Sequence, residues 1–459
     1  MGLGTEPRLR HVALVALLLV VACTRQVEST NDVPPDRDPF DSATAVASFD
    51  TVWRLIRDTH YDRALKGLDW NALGAELRPR VVRAQTIAQV RTTLTELLSR
   101  LGDSHYSIIP REALPSADPS GSSPEVSYGD LGMDLRLLDG AITVTRLDTG
   151  GAAFAAGVRS GWIVESVDSF PVASVVSGAR KLTGAKGRVA AIQAALAVSR
   201  RFGGASGTSV RVTMRDTADR LVDLTVERRE AEGDVVRLGN LPLILARMDT
   251  ARVLEPGGCV GVIRFTSWMP VLANRIERAV GAFGDCLGMV VDVRGNLGGV
   301  AAMVMGTSGW FLPTADTLGI LRLRDAELRY VAIPHRVTAD GRHTRPFDGA
   351  LALLVDAHSA STSEIFAAGL QGTGRARVFG DTTAGQALPA TLYRLPNRDV
   401  LMYAVADFVT GRGQRLDGRG VIPDEVVPVR RRDLVRGRDV ALEAALRWMR
   451  GRQHRASSP

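Results

Sequence analysis

The alternation of apolar strand-like runs with helix-like runs across residues 232–445 is the strongest constraint on this fold. Cys259-Val-Gly-Val-Ile-Arg-Phe265, Cys286-Leu-Gly-Met-Val-Val-Asp292 and Leu351 to Val355 are strand-like, and Thr362 to Leu370 follows as a helix. Such alternation argues for an α/β core, with Ser361 at a strand-to-helix junction. Read locally, Ser361-x-x-Glu364 is a capping box that satisfies orphan amides at a helix start. A nucleophile placed there also gains, because a helix N-terminus favours developing negative charge.

Earlier in the chain the pattern changes. Residues 43–112 read as a helical module, with Phe49, Val52, Trp53 and Ile56 on one face, and Ile87, Val90, Leu94, Leu97, Leu98 and Leu101 on another. Gly102 is a natural helix stop, so Asp103-Ser104-His105 falls in the turn beyond it. Prolines and serines in 113–125 mark a linker. Residues 446–459 are polar and are expected to be a disordered tail.

The first residues bear on compartment. Arg8 and Arg10 precede an apolar stretch from Val12 to Val21, too short to span a membrane. It ends in Val20-Val21-Ala22-Cys23, which resembles a bacterial lipobox. That resemblance implies a signal peptide over 1–23, lipidation at Cys23 and an exported lipoprotein of the cell envelope. Residues 24–42, with Pro34, Pro35 and Pro39, read as a flexible tether. Cys259 and Cys286 head two strand-like runs, and adjacent strands would bring them within disulfide reach in an oxidising compartment. No CxxC or histidine cluster accompanies them, so no metal is expected.

At 459 residues the chain has room for two or three domains, and its 45% hydrophobic content excludes a disordered or fibrous chain. Nearly all of the positive charge behind the net +7 is arginine, and lysine occurs only at Lys66, Lys181 and Lys186. The basic cluster Arg430, Arg431, Arg432, Arg436 and Arg438 reads as solvated surface rather than a nucleic-acid site.

Residues 126–231 resemble a PDZ domain, through Tyr128-Gly129-Asp130-Leu131-Gly132-Met133, Asp139-Gly140, Ala156-Gly157-Val158-Arg159-Ser160-Gly161 and Gly207-Thr208-Ser209-Val210-Arg211-Val212. A longer connection from Val172 to Gly204 reads as an inserted helix. The resemblance implies binding of an extended peptide C-terminus, with Tyr128, Gly129, Asp130, Leu131 and Gly132 as the carboxylate loop.

Four segments in order then resemble the C-terminal processing, or tail-specific, serine protease superfamily: Leu101-Gly-Asp-Ser-His105, Val291-Asp-Val-Arg-Gly-Asn-Leu-Gly-Gly299, His358-Ser-Ala-Ser-Thr-Ser-Glu364 and Leu416-Asp-Gly-Arg-Gly-Val-Ile-Pro-Asp424. The resemblance implies a crotonase-like (ClpP-like) core, and a nucleophile at Ser361 rather than Ser359 or Ser363. One branch of the superfamily uses a lysine 25 residues after the nucleophile, but Gln386 stands there, and no lysine follows Lys186. The Ser-His-Glu/Asp branch, which includes the tricorn core and retinoid-binding relatives, is the closer match. It implies His105 as base and Asp417 as third member, with Asp424 in reserve. It also implies an oxyanion hole from Gly298 or Gly299 together with Thr362. The activity expected is hydrolysis of extended polypeptides through an acyl-enzyme, without cofactor or metal. The rival reading is a catalytically silent envelope protein that binds ligands or acts as a PDZ scaffold.

Overall fold

The computed structural model describes residues 40–113, 128–236 and 244–456, with side chains through residue 452. The lipobox cysteine and residues 114–125 of the expected linker lie outside the described residues.

Three helices, Ser42–Thr59, Trp70–Val82 and Ile87–Ser99, make the first unit. Asp41 starts the first of them, accepting from Ala43 N at 3.0 Å and Thr44 N at 3.3 Å. The last two residues assigned to the tether are therefore a helix cap and a helical residue. Trp53 and Trp70 lock the first two helices: each indole N–H donates to the other's carbonyl at 2.9 Å. Phe49, Val52, Ile56, Leu77, Leu94 and Leu97 form the buried seam. The strand Ser107–Ile109 leaves this unit and pairs antiparallel with Val400–Ala404, which fixes the helices, and with them His105, against the core.

The second unit is an antiparallel sheet in the order Met133–Leu138, Ala141–Leu147, Ile163–Val167, Ser209–Arg215, Leu221–Glu227. Asp139 (φ 49°) and Gly140 (φ 80°) form its first hairpin turn, where two positive φ values match the strand twist. The connection read as one inserted helix is two, Ala173–Ala179 and Gly184–Phe202. The second of these lies against Met133–Leu138.

The core sheet runs Met248–Glu255, Gly258–Phe265, Gly288–Asp292, Ala350–Val355, Arg377–Gly380, Glu425–Val426, antiparallel at the first pair and parallel thereafter. Parallel strands must be covered on both faces, and alternate residues divide accordingly. Met289, Val291, Leu351, Leu353 and Val355 face a cluster with Ile365 and Phe366 of the helix Thr362–Gly372. Val290, Ala352 and Leu354 face Ala441, Ala444, Ala445 and Met449 of the helix Val440–Ala456. The expectation of disorder from residue 446 onward is thus corrected: the helix continues to Ala456, because Met449 is needed to cover the sheet. Gly288 lets it approach, since a Cβ there would lie 2.6 Å from Met449 Sδ.

Cys259 and Cys286 form a disulfide across the ends of adjacent strands. The basic cluster at 430–438 is also not simply solvated. Arg431 donates to Gly161 O and Asp216 O of the second unit at 2.8 Å each, clamping that unit to the core.

Candidate active site

Ser361 follows the loop that leaves Ala350–Val355 and immediately precedes the helix Thr362–Gly372. Its φ of 55° and ψ of −117° are costly for a residue with a Cβ, on the order of 1–3 kcal/mol. Two hydrogen bonds from Ser361 N impose this geometry, to Gln386 O at 2.8 Å and to Glu364 Oε2 at 3.0 Å.

The three serines of the segment differ in what their hydroxyls do. Ser359 Oγ donates to Val293 O at 2.8 Å and accepts from Asp356 N at 3.0 Å. Ser363 Oγ donates to Asn296 O and accepts from Trp268 Nε1, both at 2.9 Å. Ser361 Oγ is buried with no hydrogen-bond partner. Two of the hydroxyls are committed to structure, and the third is uncommitted.

Glu364 is completely buried, and its carboxylate receives Thr383 Oγ1 at 2.5 Å, Gly385 N at 2.7 Å, Gln386 N at 2.8 Å and Ser361 N at 3.0 Å. Burial pushes its carboxyl up to about 7, against the pull of these donors. Sequence reasoning saw this residue only as a helix cap. It also fixes the backbone of Ser361 and the loop that carries Gln386.

His105 has a positive φ of 62° and is 3% exposed. Burial lowers its pKa to about 4, so the ring is neutral at physiological pH. Its Nδ1 lies 2.7 Å from Ser104 Oγ, and Ser104 Oγ in turn donates to Asp417 Oδ1. With its one proton given to the carboxylate, Ser104 must accept from His105 Nδ1–H. That fixes the tautomer and leaves the Nε2 lone pair free. Nε2 is buried with no hydrogen bond, so none joins it to Ser361 Oγ in this conformation. Ser104 was not anticipated. It is the residue between Asp103 and His105, and its hydroxyl bridges His105 Nδ1 and the Asp417 carboxylate.

Asp417 and Ser361 meet the same peptide unit from either side: Gln386 O accepts Ser361 N, and Ala387 N donates to Asp417 Oδ1 at 3.3 Å. Burial raises the Asp417 carboxyl, opposed by Ser104 and by Arg415, whose guanidinium is 3.4 Å away. Arg415 also bonds Asp103 at 2.9 Å and Asp407 at 3.0 Å. Burial works against an ionised Asp103, but His60, Lys66, Tyr61 and Arg415 around it outweigh that and hold the carboxyl below the usual range. Asp424, the reserve, accepts from Val378 N at 2.8 Å and serves the sheet edge.

Of the expected oxyanion donors, Gly298 is corrected: its N–H donates to Asn296 Oδ1 at 2.9 Å. Gly299 N and Thr362 N make no hydrogen bond among the described residues, and Thr362 Oγ1 donates to Gly299 O at 2.9 Å, which holds the two residues together. Asn296 fastens this loop to the Ser361 loop through Ala360 N (3.1 Å) and to the sheet through Phe265 O (3.0 Å).

Tyr128, Asp130, Leu131 and Gly132 border a groove of about 310 Å³ between the strand Met133–Leu138 and the helix Gly184–Phe202. The groove runs to Gly295, Leu297 and His358, beside the loops that carry Gly299 and Ser361. Gly129 is buried behind it, where a Cβ would lie 2.8 Å from Ser206 Cα.

Known proteins share this organisation. Residues 259–427 match the model for Peptidase family S41, and residues 43–99 match the Tricorn protease C1 domain. The chain is 26% identical over 220 residues to a carboxyl-terminal-processing protease of Synechocystis sp., covering 47% of this chain and 49% of that protein. It is 23% identical over 382 residues to the chloroplastic carboxyl-terminal-processing peptidase 3 of Arabidopsis thaliana, covering 81% of this chain and 67% of that protein. Against putative tricorn protease homolog 2 of Streptomyces coelicolor it is 26% identical over 415 residues, 87% of this chain and 32% of the other. The chain therefore spans about half the length of the cyanobacterial relative and a third of the Streptomyces one. The fold is shared with a photosystem II D1 C-terminal processing protease, with a TM-score of 0.55 at 21% identity over 88% of this chain and 96% of that one. It is shared with mature CPAF complexed with lactacystin, with a TM-score of 0.56 at 13% identity over 89% and 98%. Ser361, Glu364 and Asp417 all fall within residues 259–427, the stretch that matches the model for Peptidase family S41.

Proposed function

We propose that this protein is an exported, lipid-anchored serine endopeptidase that cuts extended polypeptides near their C-termini, using Ser361, His105 and Asp417. The observation that carries this reading is the uncommitted Ser361 hydroxyl, held at a strained backbone position between a strand and a buried helix N-terminus. In the reaction, His105 Nε2 takes the Ser361 proton as Oγ bonds to the scissile carbonyl carbon. The resulting oxyanion meets Gly299 N–H and Thr362 N–H, which have no competing partner to give up. The imidazolium is compensated by Asp417 through Ser104 Oγ, and it returns its proton to the departing amine. Water, deprotonated by the same imidazole, then hydrolyses the acyl-enzyme.

The second unit fits the PDZ-like reading, with its groove as the place where a substrate strand docks. Export is supported by the disulfide, since such bonds persist in oxidising compartments. Attachment through lipid on Cys23 rests on the lipobox resemblance of Val20-Val21-Ala22-Cys23, and no helix among the described residues is long and apolar enough to cross a membrane.

The test is incubation of the protein with an unfolded polypeptide, followed by intact-mass analysis. Cleavage that disappears in Ser361→Ala supports the proposal. A folded wild-type protein that leaves every unfolded substrate intact, while binding it equally well with or without Ser361, would instead make it a silent binding protein.

A further inference from the structure

The head of the groove already holds a carboxylate. Gly132 N–H donates to Asp130 Oδ1 at 2.9 Å, and the Arg247 guanidinium binds Asp130 Oδ2 and also Asp148. One backbone amide and one guanidinium are what a chain-terminal carboxylate needs. Asp130 occupies that position at the end of a groove with apolar Leu131, Met133, Leu196 and Phe202 in its walls. The strand Met133–Leu138 ends its sheet, and among the described residues no strand lies on its outer edge.

Arg247 belongs to the core side. It follows the strand Ile244–Ala246, and its backbone is tied at 3.0 Å in both directions to Thr266, whose N–H donates to Arg247 O and whose Oγ1 accepts from Arg247 N. Two residues further on, Trp268 bonds Gly298 O at 3.0 Å and Val300 N at 2.8 Å, on either side of the oxyanion residue Gly299. The guanidinium that holds the groove's carboxylate is thus anchored beside the catalytic loop.

We propose that Asp130 is an internal stand-in for a substrate's C-terminal carboxylate, which displaces it from Gly132 and Arg247 on binding. This rests on the reading of the groove as a docking site for a polypeptide C-terminus. Asp130 and Arg247 then set specificity. The resident carboxylate lowers apparent affinity by the fraction of time it holds the site, so only chain ends that also fill the apolar walls bind well. Asn at position 130 still accepts from Gly132 N–H, and so preserves the loop, but it no longer competes for Arg247.

The experiment is a fluorescence-anisotropy titration in a Ser361→Ala background. The probe is a fluorescein-labelled octapeptide with an alanine- and leucine-rich C-terminus, prepared as free acid and as C-terminal amide. The expected result is that Asp130→Asn tightens binding of the free acid about tenfold and leaves the amide unchanged. Arg247→Gln abolishes the difference between acid and amide. An acid-to-amide ratio unaltered by Asp130→Asn overturns the proposal while leaving the groove reading intact. If neither peptide binds the parent or any variant, the groove reading itself falls, and this proposal with it.

Discussion

Replacing Ser104 with alanine removes a single hydroxyl and disconnects Asp417 from His105. In the structure Ser104 Oγ accepts from His105 Nδ1 at 2.7 Å and donates to Asp417 Oδ1. Losing it leaves Nδ1 unpaired and a partly desolvated carboxylate short of one donor, while Arg415 and Ala387 N still hold that carboxylate in place. A hydrogen bond to a charged group contributes about 1.5–3 kcal/mol, and each 1.4 kcal/mol is a factor of ten, so kcat falls roughly 10- to 150-fold. KM stays near its original value, because the imidazolium that Asp417 compensates exists only as the reaction proceeds. Steady-state hydrolysis of a fluorogenic peptide reads both constants, and Ser104→Thr, which keeps the hydroxyl, restores most of the rate. A Ser104→Ala enzyme with undiminished kcat would refute the relay and require His105 to be oriented by some other group.

Other perturbations follow from the same geometry. Arg415→Gln removes the cation that lowers the Asp417 carboxyl, so the acidic limb of kcat/KM moves to higher pH; a pH–rate profile identical to the parent would contradict this. Gly299→Ala places a Cβ 2.4 Å from Trp268 O at a φ of +146°, and is expected to abolish turnover, while circular dichroism reports whether the fold survives. Reducing Cys259–Cys286, which closes a 27-residue separation, lowers stability by about 3.5 kcal/mol on the chain-entropy model, readable by denaturant titration with and without reductant. Acid also destabilises the protein through its buried histidines. Burial holds His105 at about 4, and burial together with Arg136 holds His358 at about 3. Below their ordinary value near 6.5 the unfolded chain binds protons that the folded one refuses, so stability drops from about pH 6.5 toward pH 4. Glu364, raised to about 7, contributes with the opposite sign between about pH 4.5 and 7, and Glu364→Gln therefore steepens the acid loss seen in urea titrations.

The parts of this fold that show in the sequence are those written in periodicity and in local turn chemistry. Leu351–Val355 and Thr362–Leu370 are legible as strand and helix because their apolar residues leave few alternatives, and the structure places them at Ala350–Val355 and Thr362–Gly372. The end of the chain misleads, because residues 446–456 look polar overall; Met449 and its neighbours reveal a covering helix only once the sheet face they meet is known. The site divides in the same way. Motifs single out Ser361 and His105 as candidates, whereas Ser104, Arg415 and Glu364 bond across 313, 312 and 22 residues of chain, to Asp417, Asp103 and Gln386 respectively. No local pattern encodes such pairings. Gly298 and Gly299 are indistinguishable by type, and only the bond from Gly298 N to Asn296 separates them.

Site mapping with a fluorophosphonate probe tests whether Ser361 is the nucleophile and His105 its base. The protein is labelled at neutral pH, digested, and the adduct located by tandem mass spectrometry. One adduct is expected, on Ser361, forming about a hundredfold more slowly in His105→Ala and not at all in Ser361→Ala. An adduct on Ser359 or Ser363, or labelling of Ser361 at the same rate without His105, would contradict it.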